Sequence, residues 1–167
     1  MGTLNLGGGA NFVGFNGNLI DAPPGTIIQC KSYVNDSAVL VTGVAVSDTW
    51  TDTGMEITIE PRKSNSLLVI QSTIRWQSNQ SPSEIRMRIF DSTNNVDITD
   101  PNGGVLRYFF YNQGGNTIAI TPLNITIGAS NTTSRTYKLQ VYEETGQVVT
   151  LGVNEYPHSF TVFEVAQ

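Results

Sequence analysis

Cysteine and histidine are almost missing from this chain, which carries only Cys30 and His158. A single cysteine excludes an intrachain disulfide framework, so the fold does not depend on an oxidising compartment. Cys30 lies in the stretch Thr26-Ile27-Ile28-Gln29-Cys30 and is expected as a small buried hydrophobe. A single histidine leaves His158, at the entrance to the last apolar stretch, as the one imidazole that any Ser-His-Asp or Cys-His arrangement would have to use. Charge is scarce as well. Only 14% of the 167 residues are Asp, Glu, Lys or Arg, against roughly a quarter in an average soluble protein. The nine basic residues are scattered, with no run longer than Arg62-Lys63, and the net charge is −5. This pattern argues against a nucleic-acid partner, because phosphate binding needs clustered Lys and Arg. No apolar run approaches the ~18 residues of a membrane span, and the first residues lack the basic and apolar regions of a signal peptide.

What is present is a β-rich chain with an unusual beginning. Residues 1–24 are dense in Gly and Asn, with isolated apolar side chains among them. Gly at this density opposes an independent fold, because its backbone entropy is lost on ordering. A solvated linker, however, would not hold two Phe and several aliphatics. The segment is therefore expected to be an extended anchoring arm, closed by Pro23-Pro24-Gly25. Its partner-binding side chains would be Leu4, Leu6, Phe12, Val13, Phe15, Leu19 and Ile20.

Residues 25–167 read as one all-β domain. Strand candidates are Thr26–Val34, Val39–Val46, Met55–Glu60, Ser66–Trp76, Glu84–Phe90, Val105–Tyr111, Thr117–Ile127, Ser134–Tyr142, Gln147–Leu151 and Ser159–Val165. Ile85, Met87 and Ile89 alternate with charged residues, Ile57 and Ile59 with Glu56, Thr58 and Glu60, and Tyr137, Leu139 and Val141 with Lys138 and Gln140; each set marks a half-buried strand. Leu67-Leu68-Val69-Ile70 is instead a continuous apolar run, the pattern of a strand covered on both faces. Turn clusters such as Asn94-Asn95 and Asn102-Gly103-Gly104 separate the strands. Short strands at this spacing predict an antiparallel β-sandwich or jelly roll.

Trp50 to Ile70 carries a family resemblance as well. Its aromatic residue, Thr/Asp, Gly54, alternating apolar positions, Pro61, Ser-containing turn and aliphatic strand resemble a domain of tailed-phage virion proteins. Pro24-Gly25-Thr26-Ile27-Ile28-Gln29, Ile85-Arg86-Met87-Arg88-Ile89-Phe90-Asp91 and Phe160-Thr161-Val162-Phe163-Glu164-Val165-Ala166 are similar to its opening, central and last strands. The arm is similar to N-termini of structural proteins of marine and freshwater phages. The resemblance implies a virion surface protein with a jelly-roll-like fold, often trimeric. A capsid decoration or cement protein assembled in the host bacterial cytoplasm, bound to the major capsid protein, is the function expected from it. A tail-fibre or receptor-binding knob that recognises a host glycan is the alternative.

Catalytic chemistry is not expected. The chain has no Gly-x-Ser-x-Gly elbow, no Gly-x-x-x-x-Gly-Lys loop and no His/Cys metal-ligand spacing, so neither cofactor nor metal is expected. Glu56, Glu60, Glu84, Glu143 and Glu144 are carboxylates that a glycoside hydrolase would need in pairs, but they occupy outward or strand-end positions. The loop Asp91–Asp100 is rich in hard oxygens, as Ca²⁺ prefers, yet lacks the spacing of an EF-hand. In Leu106-Arg107-Tyr108-Phe109-Phe110-Tyr111 both strand faces are aromatic, and Tyr108 and Phe110 are expected as a possible subunit interface.

Overall fold

The computed structural model describes residues 22–35, 49–78, 83–98, 108–112, 117–143, 149–151 and 158–167. The ten described strands are β1 (Ile27–Asn35), β2 (Thr51–Ile59), β3 (Leu67–Ser78), β4 (Ser83–Asp91), β5 (Val96–Asp97), β6 (Tyr108–Asn112), β7 (Thr117–Gly128), β8 (Arg135–Glu143), β9 (Val149–Leu151) and β10 (His158–Val165). All pair antiparallel, in two sheets. One runs β1-β10-β3-β7 with β9 also on β3; the other runs β2-β8-β4-β5 with β6 also on β4. The expected strand Val39–Val46 lies outside the described residues.

Two of these strands are halves of one. Thr73 of β3 faces Ser159 of β10 and Trp76 faces Leu151 of β9, so β9 and β10 follow the same edge of β3 in line. Likewise Met87 of β4 faces Tyr108 of β6 while Phe90 faces Asp97 of β5. With each pair taken as one interrupted strand, every connection except β4 to β5 crosses between sheets. The described strands thus form an antiparallel β-sandwich of two sheets.

The alternation in the sequence places the core between the sheets. Met55, Ile57 and Ile59 of β2, Ile85, Met87 and Ile89 of β4, and Tyr137, Leu139 and Val141 of β8 form one wall. Leu68, Ile70, Ile74 and Trp76 of β3, Leu123 and Ile125 of β7, and Phe160 and Val162 of β10 form the other. Burying each such side chain contributes roughly 1.5–3 kcal/mol before entropy is counted. Trp76 is held by its indole N–H, which donates to the Thr121 hydroxyl at 3.0 Å.

Strand β2 begins earlier than the expected Met55, because Thr51 and Asp52 also pair with β8. The register shifts between Asp52 and Glu56, and Gly54 sits in this bulge with φ +81°. Only glycine adopts that conformation without strain. The Thr53 hydroxyl closes the bulge, donating to the Leu139 carbonyl at 2.8 Å and accepting from the Met55 N–H.

Cys30 corrects an expectation: it is exposed. The ladder shifts between Ile27 and Gln29 of β1, so Ile28 and Gln29 are not simple alternates, and Cys30 falls opposite the outward Phe163. A bulge moves every later residue to the other face.

Candidate functional site

Pieces of the chain far apart in sequence meet at Glu164, which is completely buried. Its Oε1 accepts the backbone N–H groups of Arg62 at 2.8 Å and Lys63 at 3.0 Å, and the Ser66 hydroxyl at 2.7 Å. Its Oε2 accepts the Gln29 amide at 3.3 Å and shares the Arg62 N–H at 3.0 Å. Gln29 also donates to the Glu60 carbonyl. The opening strand, the turn after Pro61 and the last strand are therefore tied by one carboxylate. Its oxygens are occupied by turn donors, which makes it a fold clamp rather than an acid or base.

His158 is also completely buried. The ladder on β3 is interrupted between β10 and β9, and there the Arg75 N–H donates to His158 Nδ1 at 3.3 Å. Burial, with the Arg75 charge nearby, pushes the imidazole pKa below its usual value, so it is neutral at pH 7. Asp91 opens the loop considered for Ca²⁺. Its Oδ1 accepts the N–H groups of Thr93 and Asn94, and its Oδ2 the Asn94 amide. Asp97 pairs with Arg88. Both carboxylates are thus engaged with protein groups, and Asp100 lies outside the described residues. Among the described residues no three His, Cys, Asp or Glu side chains come together as a metal site.

The outward face of the β2-β8-β4 sheet is charged and aromatic. Arg88 lies over the Trp50 ring at 4.3 Å and the Phe90 ring at 4.7 Å, donates to Gln140 at 2.8 Å and pairs with Asp97. Arg86 lies over Tyr142, whose ring is 5.5 Å from Trp50 and tilted by 45°. Asp52 accepts from Lys138 at 2.7 Å and Gln140 at 2.5 Å. Burial alone would raise the Asp52 pKa, but these hydrogen bonds outweigh it and hold the carboxyl below its usual value. Glu56 stands 3.8 Å from Lys138. The face is a network of satisfied pairs, with planar guanidinium groups stacked on rings.

The outward face of the other sheet is its opposite. Register places Cys30, Phe163, Val69 and Thr126 in one row across it, and Ser32, Thr161, Gln71 and Asn124 in the next. Arg75 is the one charged residue at its described outward positions on β1, β3, β7 and β10. Leu67, Val69, Phe163 and Val165 are only half-buried there. The continuous apolar run at Leu67–Ile70 predicts cover on both faces; among the described residues the inner side, with Leu68 and Ile70, is closed, and the outer Leu67 and Val69 are half-buried.

The arm residues Leu4, Leu6, Phe12, Val13, Phe15, Leu19 and Ile20 lie outside the described residues. The description begins at Ala22, which is buried against Ile28 and Ala166. The side chains of Tyr108 and Phe110 also fall outside it. The backbone pairs Tyr108 with Met87 and Phe110 with Ile85, whereas Phe109 pairs with Arg86. Glu56 and Glu60 are exposed, while the side chains of Glu84 and Glu143, and all of Glu144, lie outside the described part. Sequence reasoning missed the Glu164 clamp, although a glutamate within the apolar strand Phe160–Val165 was a signal for it.

No family model matches this chain, and no curated protein matches it. Among solved structures, it is similar to a chain of the T13 IBDV viral particle, at 9% identity and a TM-score of 0.47, covering 82% of this chain and 36% of that one. It is also similar to chains of infectious bursal disease virus strains Gt and Gx, at 10% and 16% identity and TM-scores of 0.41 and 0.39. Those alignments cover 85% and 83% of this chain, and 39% and 37% of the viral ones. This chain thus spans little more than a third of the length of those proteins. Likenesses this distant carry no argument about what it does.

Proposed function

We propose that this chain is a phage virion structural protein that decorates or cements the capsid. In this reading residues 1–24 anchor it to the major capsid protein or a neighbouring subunit, and the sandwich associates as a homotrimer on the head surface. The observation that carries the reading is the nearly uncharged sheet face with Leu67, Val69, Phe163 and Val165 half-exposed at its lower rows. Depletion of charge marks the core of protein interfaces, and contiguous apolar surface on a sheet calls for a partner. The buried histidine and the fully occupied Glu164 fit a scaffold better than a catalyst. Immunogold labelling of intact particles with an antibody to the sandwich tests this. Label spread over the head is the expected result; absence of label from virions would refute the reading.

One observation favours the receptor-binding alternative. Trp50, Arg86 and Arg88 cluster on the outward side of the opposite sheet, and an aromatic ring beside hydrogen-bonding side chains is what a sugar ring stacks upon. Label confined to the tail tip would support that reading and refute the decoration role.

A further inference from the structure

His158 opens β10, and its side chain fills a place that a main-chain carbonyl normally takes in a sheet. Pairing of β3 with β10 runs from Leu67 on Val165 to Thr73 on Ser159, and pairing of β3 with β9 resumes at Trp76 on Leu151. Between these points the Arg75 N–H donates to His158 Nδ1 at 3.3 Å. Beside it the Ser72 hydroxyl donates to the Ser159 carbonyl at 3.0 Å. Strand N–H groups ordinarily find their acceptors in the ladder. Here one rung is a completely buried imidazole. A carbonyl stays an acceptor across the physiological pH range, whereas an imidazole gains a proton and stops accepting.

The hydrogen bond also fixes the tautomer. Nδ1 accepts, so the single proton of the neutral ring sits on Nε2, and Nε2 is buried with no partner among the described residues. A second proton has only the Nδ1 lone pair to occupy. Once protonated there, the ring turns an N–H toward the Arg75 N–H, the bond is lost, and two buried donors face each other. Burial and the Arg75 charge both oppose the cation. The rest of its surroundings offer no counter-charge. On β10 the carboxylate of Glu164 lies at the far end and is taken up by the turn after Pro61. On β1 the titratable residues in the same register are Tyr33 and Lys31, opposite Phe160 and Val162. Strands β7 and β9 contain none. Among the described residues the facing core wall of β2, β4 and β8 holds one titratable group, the Tyr137 phenol.

We infer that His158 is an acid-released latch: a proton taken from solvent at Nδ1 breaks the Arg75 rung and frees this end of β10 from β3. The open state binds that proton with an ordinary histidine pKa of about 6.5, and the closed state binds it less readily, so opening gains ground as the pH falls. The two ends of β10 then behave differently. Its last turn is tied to the Pro61 turn through Glu164, and its first residues are held to β3 by side chains at His158 and Ser72. Release therefore starts from one end, as a local opening that lies below global unfolding in free energy. The latch needs only the fold, so it stands whether or not the chain belongs to a virion.

The test uses the full chain, whose single histidine makes its ring nitrogen NMR signals unambiguous. At pH 7.5 they should show Nδ1 bare and Nε2 protonated; the opposite tautomer would overturn the latch. Amide hydrogen exchange then locates the opening. Protection of the Arg75 amide should fall by up to about 30-fold between pH 7.5 and 5, the gain that one proton gives an open state titrating near pH 6.5. The Ile70 amide, where β3 is paired on both sides, should keep its protection. Equal protection of Arg75 at both pH values would show that nothing is released, and an equal fall at Ile70 would show that the whole domain opens. Either result refutes the latch. His158→Asn sets an amide oxygen near the place of Nδ1 and cannot titrate, so Arg75 protection in it should not depend on pH; a fall like that of the native protein would refute the latch as well. If this variant does not fold, the tautomer and the native exchange decide the matter.

Discussion

Replacing Glu164 with Gln changes a handful of atoms and should cost more than most core truncations by a methyl group. The carboxylate takes donors from Arg62 N–H, Lys63 N–H, Ser66 and Gln29 on its two oxygens. An amide keeps one acceptor oxygen but turns an N–H₂ group toward donors that cannot accept. Hydrogen bonds to a charged group contribute about 1.5–3 kcal/mol each, and a buried donor left unsatisfied costs about 1–3 kcal/mol. The turn lies near the surface, where Arg62 is exposed, so water recovers part of the loss. A net destabilisation of about 2–4 kcal/mol for Glu164→Gln follows, and somewhat more for Glu164→Ala. At about 2–4 °C per kcal/mol for a domain of this size, the melting temperature should fall by roughly 5–15 °C. Thermal and urea melts followed by circular dichroism measure this directly, and an unchanged urea slope would show that the denatured state is not the cause. Combining Glu164→Gln with Ser66→Ala should cost less than the sum of the two, because they share one bond. A shift below 1 kcal/mol for Glu164→Gln, or strict additivity with Ser66→Ala, would refute the clamp.

Three further outcomes are expected. Gly54→Ala meets no atom within 4 Å, so its cost is backbone strain at φ +81° alone, about 1–2 kcal/mol; a melting temperature unchanged within 1 °C would contradict this. His158 has a folded pKa lowered by burial and the Arg75 charge, so the unfolded chain binds its proton more readily. Its contribution is therefore present above about pH 6.5 and lost as the pH falls through the lower folded value. Melting temperatures at pH 7.5 and 5 should show that decline in the native protein and a shallower one in His158→Gln. Arg88→Lys keeps the charge but loses the planar fork over Trp50 and Phe90, which should cost about 1–2 kcal/mol and alter Trp fluorescence; an unchanged emission spectrum would count against the stacked arrangement.

Much of the fold was legible because period-2 alternation follows directly from strand geometry. Ile85, Met87 and Ile89, with Tyr137, Leu139 and Val141, needed no tertiary information to be placed inward. Cys30 was misread because the β1 bulge at Ile28 shifts parity and leaves no trace in composition. Glu164 was hidden for a different reason. Its main partners are backbone N–H groups of a turn about a hundred residues away, and every non-proline residue carries such a donor whatever its side chain. The outward network around Arg88 likewise depends on register between β2, β8 and β4, which the separate strands do not encode. In the run Leu67–Ile70 the inner residues are closed off, while among the described residues the outer ones are half-buried.

The two interrupted strands have a consequence for how such a chain can change. The described partners of β3 pass from Ser159 on Thr73 to Leu151 on Trp76, and those of β4 from Tyr108 on Met87 to Asp97 on Phe90. At each place the pairing resumes in register on both sides, anchored by His158 on Arg75 and by the Ile98 N–H on the Ile89 carbonyl. The ladder is therefore indifferent to the length of the excursion, since closing a longer loop adds only about 0.6 kcal/mol per doubling. Insertions at these two points would vary what the protein displays while the sandwich beneath stays the same. They are also the places where a foreign peptide could be grafted without disturbing the ladder.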